Sequence, residues 1–439
     1  MARRKRLLAI VGVFPPFGGP GAIRLVKLFR HLPEHGWDVE VIAPAGRAGW
    51  YRDPELTREL GPTTVHRVGP TRQLGALTSK WRAAAKDPSR SGWWLSLLQR
   101  WMRAGRLARD LLSVPDEYLL WAAAALVRAR SLLATRRYDA LFTSSFPYSC
   151  HLAGLGLALA GGPPWLVELR DPWLGHQFRL QSRSWRRPLD AFLERQVIEH
   201  AKGVIAVTPG IAELLASQHG EALRARLSVV TNGFDPADFA APGPRAPGRR
   251  LELLYVGTFE DPVAPPDTIL AALDGLLRTR PNAAARVVLR ILGGADLKSA
   301  EKIRRWNERH SSARMVVLEP FRPHAEATAA MVSADALVLS VGEGAPWVLT
   351  SKVFEYLGSG RPILAVVPRG DCRELLMRCG GATLFQPDEA GLLAKEILGA
   401  IDRGEVKPTL ARDEAAIRGY ALPSLAQTLA TRLDEVARG

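Results

Sequence analysis

The chain has 439 residues, enough for two or three domains of ordinary size, and its 47% hydrophobic content can fill real cores, which excludes disorder as the default. No run of about 18 apolar residues occurs, so we expect no membrane-spanning helix. The net charge of +15 is consistent with three classes of partner, namely nucleic acid, an anionic membrane face and anionic substrates, and an Arg-rich composition is the alternative explanation for part of it.

The cysteines and the amino terminus predict a cytoplasmic protein. Cys150, Cys372 and Cys379 are too few and too irregularly spaced for a disulfide framework, and the last two lack the close spacing of a zinc half-site. The basic first residues lead into the apolar run Leu7–Phe14. That run is short, precedes two prolines and lacks a small-residue cleavage site, so it indicates a first strand rather than a signal peptide.

Strands and helices alternate through the first half of the chain, as is typical of a parallel sheet covered by helices. Predicted strands are Leu7–Phe14, Val39–Ala43, Ala140–Ser144, Leu166–Leu169, Val204–Val207 and Leu227–Val230. Predicted helices are Ala22–Glu34, Tyr118–Leu133, Ser149–Ala160, Leu189–His200 and Ile211–Gln218.

The segment between Lys80 and Asp110 does not fit this alternation. It has eight Lys or Arg residues against two Asp, together with four tryptophans. Basic helices that carry Trp lie in lipid headgroup layers, so the segment is a candidate for contact with an anionic membrane surface. A basic surface helix whose tryptophans pack on the domain requires the same amphipathicity, and both interpretations stay open.

A Pro- and Gly-rich stretch then divides the chain, and the alternation restarts at Leu251. We therefore predict an α/β protein with two doubly wound Rossmann-like domains facing across a cleft. Their boundaries are 1–238 for the first domain, 239–250 for the linker and 251–405 for the second domain. Residues 406–439 form a helical segment that we expect to pack back onto the first domain.

In the first domain, three groups of residues follow predicted strands, at the sheet edge where α/β folds bind ligands. Gly18, Gly19 and Gly21 allow close backbone approach before a helix whose first turn includes Arg24. Arg170 and Asp171 come directly after Leu169, and an internal ion pair between them is the alternative to a site. Asn232 begins an Asn-Gly turn, for which turn and site are hard to separate.

In the second domain, the stretch from Ala336 to Pro368 is the most informative part of the chain. A buried strand is followed by a loop, a hydroxyl cap at Thr350 or Ser351 and a helix that holds Glu355 about one turn in. Unpaired N–H groups at such a helix start attract phosphate, whereas a carboxylate accepts hydrogen bonds from sugar hydroxyls. Glycines also clear space at two other strand ends, at Gly257-Thr258 and at Gly293.

Together and in this order, these motifs resemble the family 4 glycosyltransferases, which have the two-domain GT-B fold. The resemblance spans nearly the whole chain and is closest to bacterial enzymes of surface polysaccharide or glycolipid assembly. It implies sugar transfer with retention of configuration, without an obligatory metal or other cofactor. The donor would be a nucleotide sugar of the UDP or GDP type bound mainly to the second domain. The acceptor would be a saccharide or lipid-linked molecule on the first.

The resemblance also assigns roles to donor-site residues. Glu355 matches the second Glu of the family's Glu-x7-Glu motif, which binds the donor ribose, while Trp347 stands where the first Glu would fall, and Glu343 is its substitute. The backbone of four residues matches the loop that meets the donor sugar and diphosphate: Val348, Leu349, Thr350 and Ser351. Phe321 and Arg322 match the position that holds the base.

Three expectations concern charge and catalysis. The family's Arg and Lys after the Val-Gly strand end are absent here, so Lys352 and Arg24 are predicted to neutralise the diphosphate. Asp171, beside Arg170, is the side chain expected to face the reacting centre, with His151 as second choice.

Two other functions stay open. A sugar-nucleotide epimerase of the same fold would explain Trp347 and the missing basic pair. A nucleic-acid-binding protein is suggested by charge alone and carries no recognised module, so we expect no nucleic acid partner.

Overall fold

The computed structural model describes residues 3–46, 52–61, 63–69, 114–174, 185–239, 249–344 and 346–438. The basic tryptophan-containing segment and most of the predicted linker lie outside these residues. By contacts, the chain divides into one unit of Met1–Val230 with Ala426–Gly439 and a second unit of Thr231–Leu425.

The first unit is built on a parallel sheet in the order β3-β2-β1-β4-β5-β6-β7. Its strands are β1 (Lys5–Val11), β2 (Trp37–Pro44), β3 (Thr64–Val68), β4 (Ala140–Ser144), β5 (Trp165–Leu169), β6 (Gly203–Ala206) and β7 (Leu227–Val229). Its helices are α1 (Pro20–His31), α2 (Pro54–Glu59), α3 (Leu119–Thr135), α4 (Ser149–Leu159), α5 (Arg186–His200), α6 (Pro209–His219) and α7 (Glu221–Arg224). The inner strands are apolar and buried on both faces, as a covered parallel sheet requires.

The second unit repeats the plan with the parallel order β10-β9-β8-β11-β12-β13. Its strands are β8 (Leu251–Phe259), β9 (Val287–Ala295), β10 (Val316–Pro320), β11 (Ala336–Ser340), β12 (Ile363–Val366) and β13 (Ala382–Phe385). Its helices are α8 (Asp267–Thr279), α9 (Leu297–Arg309), α10 (His324–Ser333), α11 (Ser351–Ser359), α12 (Asp371–Cys379), α13 (Ala390–Arg403) and α14 (Glu414–Arg418). The last helix, α15 (Leu422–Arg438), begins in this unit and ends in the first.

Both sheets confirm the predicted α/β class of two Rossmann-like parallel sheets. In each, the strand order reverses beside the first strand of the unit, between β1 and β4 and between β8 and β11. Ligands of open parallel sheets bind at the carboxyl ends of the strands at this reversal. The fold therefore directs attention to the residues that follow these four strands.

The carboxyl-terminal part of α15 packs within the first unit. The Asp434 carboxylate oxygen Oδ1 lies 2.6 Å from Lys5 Nζ and accepts a hydrogen bond from the Trp37 indole N–H at 2.9 Å. Gly203 provides room for the same helix, since a Cβ there would come within 2.9 Å of the Val436 side chain. In the part of the chain that the structure describes, no helix is both long and apolar enough to cross a bilayer.

Candidate functional site

Two glycines let β8 and β9 end side by side beneath α11. Gly257 and Gly293 have φ of +114° and +136°, a region that favours glycine. A Cβ at Gly293 would lie 2.6 Å from the Gly257 carbonyl oxygen, and one at Gly257 would lie 3.2 Å from Lys352 Nζ. A Cβ has no room at Gly293, and one at Gly257 would displace the Lys352 ammonium, so both glycines keep this strand edge open. Thr258, the next residue, is exposed.

Lys352, in the first turn of α11, is held over these strand ends. Its ammonium donates a 2.6 Å hydrogen bond to the Tyr255 hydroxyl and lies 4.2 Å from the centre of the Tyr255 ring. The Tyr255 hydroxyl in turn donates to the Thr258 carbonyl at 2.9 Å, and its ring stacks on Phe259. Burial lowers the pKa of Lys352 to about 8, while the Glu355 carboxylate opposes that shift. An anion bound here would favour the charged form and raise the pKa of Lys352 again.

The start of α11 presents unpaired backbone to the same edge. Thr350 is the cap residue in extended conformation, but its side chain makes no capping hydrogen bond, and its buried hydroxyl has no hydrogen-bond partner in the described structure. The first N–H groups of a helix have no intrahelical acceptor and favour anions. Val348 and Ser351 are half-buried, and Leu349 anchors the loop in the core.

Glu355 lies one turn beyond Lys352, and a histidine that the sequence did not single out is close to it. Glu355 is partly buried, with Oε1 at 3.8 Å from His324 Nδ1. The other ring nitrogen of His324 is 3.1 Å from Asp238 Oδ2. His324 thus bridges two carboxylates. Its position directly after the Phe321-Arg322-Pro323 loop was the available signal.

The predicted base-binding residues differ in their surroundings. The Phe321 side chain is 69% exposed beyond the end of β10, which leaves its ring accessible for stacking. Arg322 forms ion pairs with Glu319 at 3.2 Å and with Glu326 at 3.3 Å. These pairs occupy its guanidinium, so Phe321 is the better placed of the two.

The loop between β11 and α11 holds Glu343 and Trp347. Glu343 is exposed in a turn, and within the described part of the chain it forms no ion pair or hydrogen bond. Trp347 is half-buried, and the carbonyl of the preceding Pro346 accepts a hydrogen bond from Asp371 N–H at 2.8 Å. The start of α12 therefore fixes this loop, and Glu343 remains the carboxylate with room to reach a ligand.

In the first unit, the structure places Arg24 away from the role predicted for it. Arg24 is buried, its guanidinium lies 2.7 Å from a Glu168 carboxylate oxygen, and it also donates to the Val230 carbonyl at 2.8 Å. Glu168 accepts a further hydrogen bond from Ser144 at 2.6 Å. The pair is internal because Glu168, on β5, is fully buried and needs a cation. Arg24 consequently links α1 to Glu168 on β5 and to the Val230 carbonyl, instead of facing a diphosphate.

Arg170 occupies the position at the glycine loop that was expected for Arg24. A Cβ on Gly21 would lie 1.9 Å from Arg170 Nη1, so the guanidinium packs directly on the start of α1. Burial lowers the pKa of Arg170, with Glu168 and Asp171 opposing the shift. Gly18 and Gly19, half-buried in the same loop, leave its backbone accessible. The first unit thus has a cation beside a glycine-rich helix start.

Asp171 and His151 have opposite surroundings. Asp171 is exposed after β5, its carbonyl accepts a 3.4 Å hydrogen bond from the Tyr148 hydroxyl, and among the described residues it forms no ion pair with Arg170. His151 is fully buried, with Nδ1 at 2.7 Å from the Thr143 hydroxyl, and burial lowers its pKa to about 3. His151 is therefore neutral and shut away from solvent, which leaves Asp171 as the accessible group.

Asn232 lies just inside the second unit, in a turn fixed by its neighbours. Phe234 N–H donates to the Tyr420 carbonyl at 3.2 Å, and the Phe234 carbonyl accepts from Leu422 N–H at 2.8 Å. Asn232 itself is half-buried. Across the residues that the structure covers, no group of three His, Cys, Asp or Glu side chains is arranged to hold a metal ion.

Comparison with known proteins gives a family match and a set of structural relatives. Residues 18–233 match the glycosyl transferase 4-like domain. The N-terminal domain of trehalose-6-phosphate phosphatase from Candida albicans is similar, with a TM-score of 0.66, 14% identity and coverage of 98% of this chain and 97% of that chain. A sequence search of curated proteins gives no match.

Two bacterial structures are also similar. The α,α-trehalose 6-phosphate synthase from Burkholderia multivorans gives a TM-score of 0.64 at 17% identity, with 99% of each chain covered. Anabaena HepE in complex with UDP and glucose gives 0.61 at 17% identity, with 97% of this chain and 99% of that chain covered. These neighbours confirm the GT-B fold class. The match over residues 18–233 shows that this part of the chain is similar to the glycosyl transferase 4-like domain, and the structural neighbours show the fold of the whole chain.

Proposed function

We propose that the chain is a retaining, metal-independent glycosyltransferase that moves a sugar from a nucleotide-sugar donor to a saccharide or lipid-linked acceptor. The observation that carries this proposal is the pairing of Lys352 and Glu355 on α11. Three residues apart on a helix, they share one face, and the same helix start offers unpaired N–H groups. A cation, backbone donors and a carboxylate at one sheet edge suit a diphosphate followed by a ribose.

The proposed donor is a UDP-sugar, with a GDP-sugar as the second choice. HepE, which shares this fold, has been solved with UDP and with UDP-glucose. In our proposal, Glu355 accepts hydrogen bonds from the ribose hydroxyls and Phe321 stacks on the base. Glu343 accepts from a hydroxyl of the donor sugar.

Transfer breaks the bond between the anomeric carbon and the diphosphate oxygen, and the bonding electron pair leaves with the diphosphate. Lys352 is the proposed cation that stabilises this growing negative charge. The acceptor oxygen forms the new bond to the same carbon and loses its proton, for which the Asp171 carboxylate is the proposed base. In this proposal, Lys352 and the unpaired N–H groups at the start of α11 take the place of a metal ion.

The test is product analysis with purified protein, a panel of UDP- and GDP-sugars and candidate saccharide and lipid-linked acceptors. We expect release of nucleoside diphosphate that requires an acceptor, and a product glycoside with the anomeric configuration of the donor. An inverted product would exclude retention. Absence of both nucleotide binding and transfer across the panel would exclude the function.

One observation favours an epimerase as the second candidate. The segment after Gly257 has Glu260 and Asp261 where a basic pair would be expected, and Asp261 pairs with Lys302 at 2.6 Å. A sugar altered at one carbon but still attached to its nucleotide would identify an epimerase. Nuclear magnetic resonance of the same reaction mixtures distinguishes the two outcomes.

Contact with the cytoplasmic membrane face through residues 80–110 is part of the proposal for a lipid-linked acceptor. It rests on the eight basic residues and four tryptophans of that segment. Flotation with anionic vesicles should be strong for the parent and weak after replacement of Trp81, Trp93, Trp94 and Trp101. Equal flotation of both proteins would remove this part of the proposal.

A further inference from the structure

A cavity of about 840 Å³ lies in the first unit, at the sheet edge opposite the glycine loop. It opens beneath the amino ends of β1, β4 and β5, which are neighbours in the sheet. The carboxyl ends of α3 and α4 form its walls, through Leu133 and Leu157 among others, and Gly161-Gly162-Pro163 closes one side. Its volume is in the range of small-molecule sites. None of the functions proposed above uses it.

The charged side chains that line this cavity are mostly arginines. Four arginines and one aspartate contribute: Arg3, Arg130, Arg136, Arg137 and Asp139. Arg3 pairs with Asp139 at 2.7 Å, and Arg136 pairs with Glu40 at 2.8 Å. Arg130 and Arg137 are exposed and form no ion pair with any residue that the structure describes. Among the described residues, these two guanidinium groups therefore have no ion-pair partner in one concave space.

The backbone opposes this charge only in part. The ends of α3 and α4 each contribute the equivalent of about half a negative charge, which attracts arginines to this position without any ligand. Two such ends offset about one of the two uncompensated arginines. A net positive potential remains in the cavity, which indicates an anionic ligand.

We propose that this cavity binds a phosphate group of a phosphorylated ligand through Arg130 and Arg137. A guanidinium presents a planar fork of donors that matches phosphate oxygens bidentately. The hydroxyl of the buried Tyr138 already donates a hydrogen bond to Glu40 at 2.9 Å and is not free to bind a ligand. The arginines are therefore the groups that would bind the phosphate. The ligand could be a free phosphate compound or the headgroup of an anionic lipid. Both present the same chemistry.

Calorimetric titration with inorganic pyrophosphate tests the site. All proteins carry Lys352→Ala, so that the cation of the proposed donor site does not contribute. We compare this background with Arg130→Gln/Arg137→Gln and with a matched control, Arg187→Gln/Arg195→Gln. The control removes two exposed arginines from α5 in the same unit, outside the cavity.

We expect the background and the control to bind pyrophosphate and the cavity variant to bind at least tenfold more weakly. Arg130→Lys/Arg137→Lys should recover part of the affinity, because it keeps the charge but loses the fork. Thermal unfolding of each variant establishes that it is folded. No saturable binding in the background, or an equal loss in the control, would overturn the proposal.

Flotation distinguishes the two sources of phosphate. Vesicles of phosphatidylcholine, alone and mixed with phosphatidylglycerol, are offered to the background, the cavity variant and the control. Weaker flotation of the cavity variant alone identifies a lipid headgroup. Unchanged flotation together with lost pyrophosphate binding identifies a soluble phosphate compound. Either result supports the site and is independent of the transferase proposal.

Discussion

The titrating cation of the candidate donor site is a single side chain, Lys352. In the free protein its pKa is about 8, because burial disfavours the charged form. A bound diphosphate favours the charged form and raises the pKa again. Nucleotide binding should therefore take up a proton when the pH is near or above 8.

We predict that affinity for the nucleoside diphosphate is constant below about pH 7 and falls as the pH rises through about 8. The slope should not exceed tenfold per pH unit, the limit for one proton. Lys352→Arg, which stays protonated, should abolish the slope. Calorimetry in buffers of different ionisation enthalpy measures both affinity and proton uptake. A parent protein as pH-independent as the arginine variant would contradict the assignment.

Glu355 tests the ribose contact. Glu355→Ala should weaken nucleotide binding by about 1–3 kcal/mol, the usual loss when a charged group gives up its hydrogen bonds. The matched control is Glu308→Ala, which removes an exposed carboxylate of α9 in the same unit. Unchanged affinity in the Glu355 variant, measured calorimetrically, would count against the donor site.

Substitution of Asp171 tests its proposed role as the base separately from donor binding. Asp171→Asn keeps the shape and removes the proton acceptor, so turnover should fall by about 10²–10⁴-fold while nucleotide affinity stays near that of the parent. Initial rates and calorimetry on the same preparation separate the two effects. Parent-like turnover would exclude Asp171 as the base.

At the scale of elements, the buried strands and α11 were predictable because apolar runs end at glycine or charged residues. β3 was not, because it is an edge strand whose residues are only half-buried and include His66 and Arg67. The ion pair between Arg24 and Glu168 could not be predicted from local sequence either, because the two residues are 144 positions apart. The position of His324 was unpredictable for the same reason, since its contact with Asp238 joins residues 86 positions apart. Local pattern locates strand ends, whereas pairing across the chain depends on packing.

The docking of α15 gives a stability prediction at the element scale. Asp434→Ala leaves the indole N–H of the buried Trp37 without its acceptor, which should lower the free energy of unfolding by about 1–3 kcal/mol. Asp434→Asn keeps an acceptor oxygen and loses the solvent-accessible ion pairs with Lys5 and Arg438, which are pairs of small value. Urea unfolding followed by tryptophan fluorescence compares them. Equal loss in both variants would assign the effect to charge.

For the whole molecule, the two sheets follow the same winding but have different residues at the strand reversal. In the second unit, Lys352 lies over the end of β8, and Glu355 lies one turn further along the same helix, beside His324. In the first, Arg170 packs on Gly21 in the first turn of α1. If the donor binds mainly to the second unit, nucleotide protection should be unevenly distributed along the chain.

Hydrogen exchange measures that distribution. Nucleoside diphosphate at about 100 times its dissociation constant adds about 2.7 kcal/mol to the stability of the state that binds it. We expect slower exchange at the start of α11, at the ends of β8 and β9 and around His324. Amides of β2, β3 and α3 should be unchanged. Lys352→Ala should remove the protection at α11 first, because the helix start and its cation bind one phosphate group. Protection confined to the first unit would indicate that the nucleotide binds at the glycine loop, and it would refute the donor site proposed on α11.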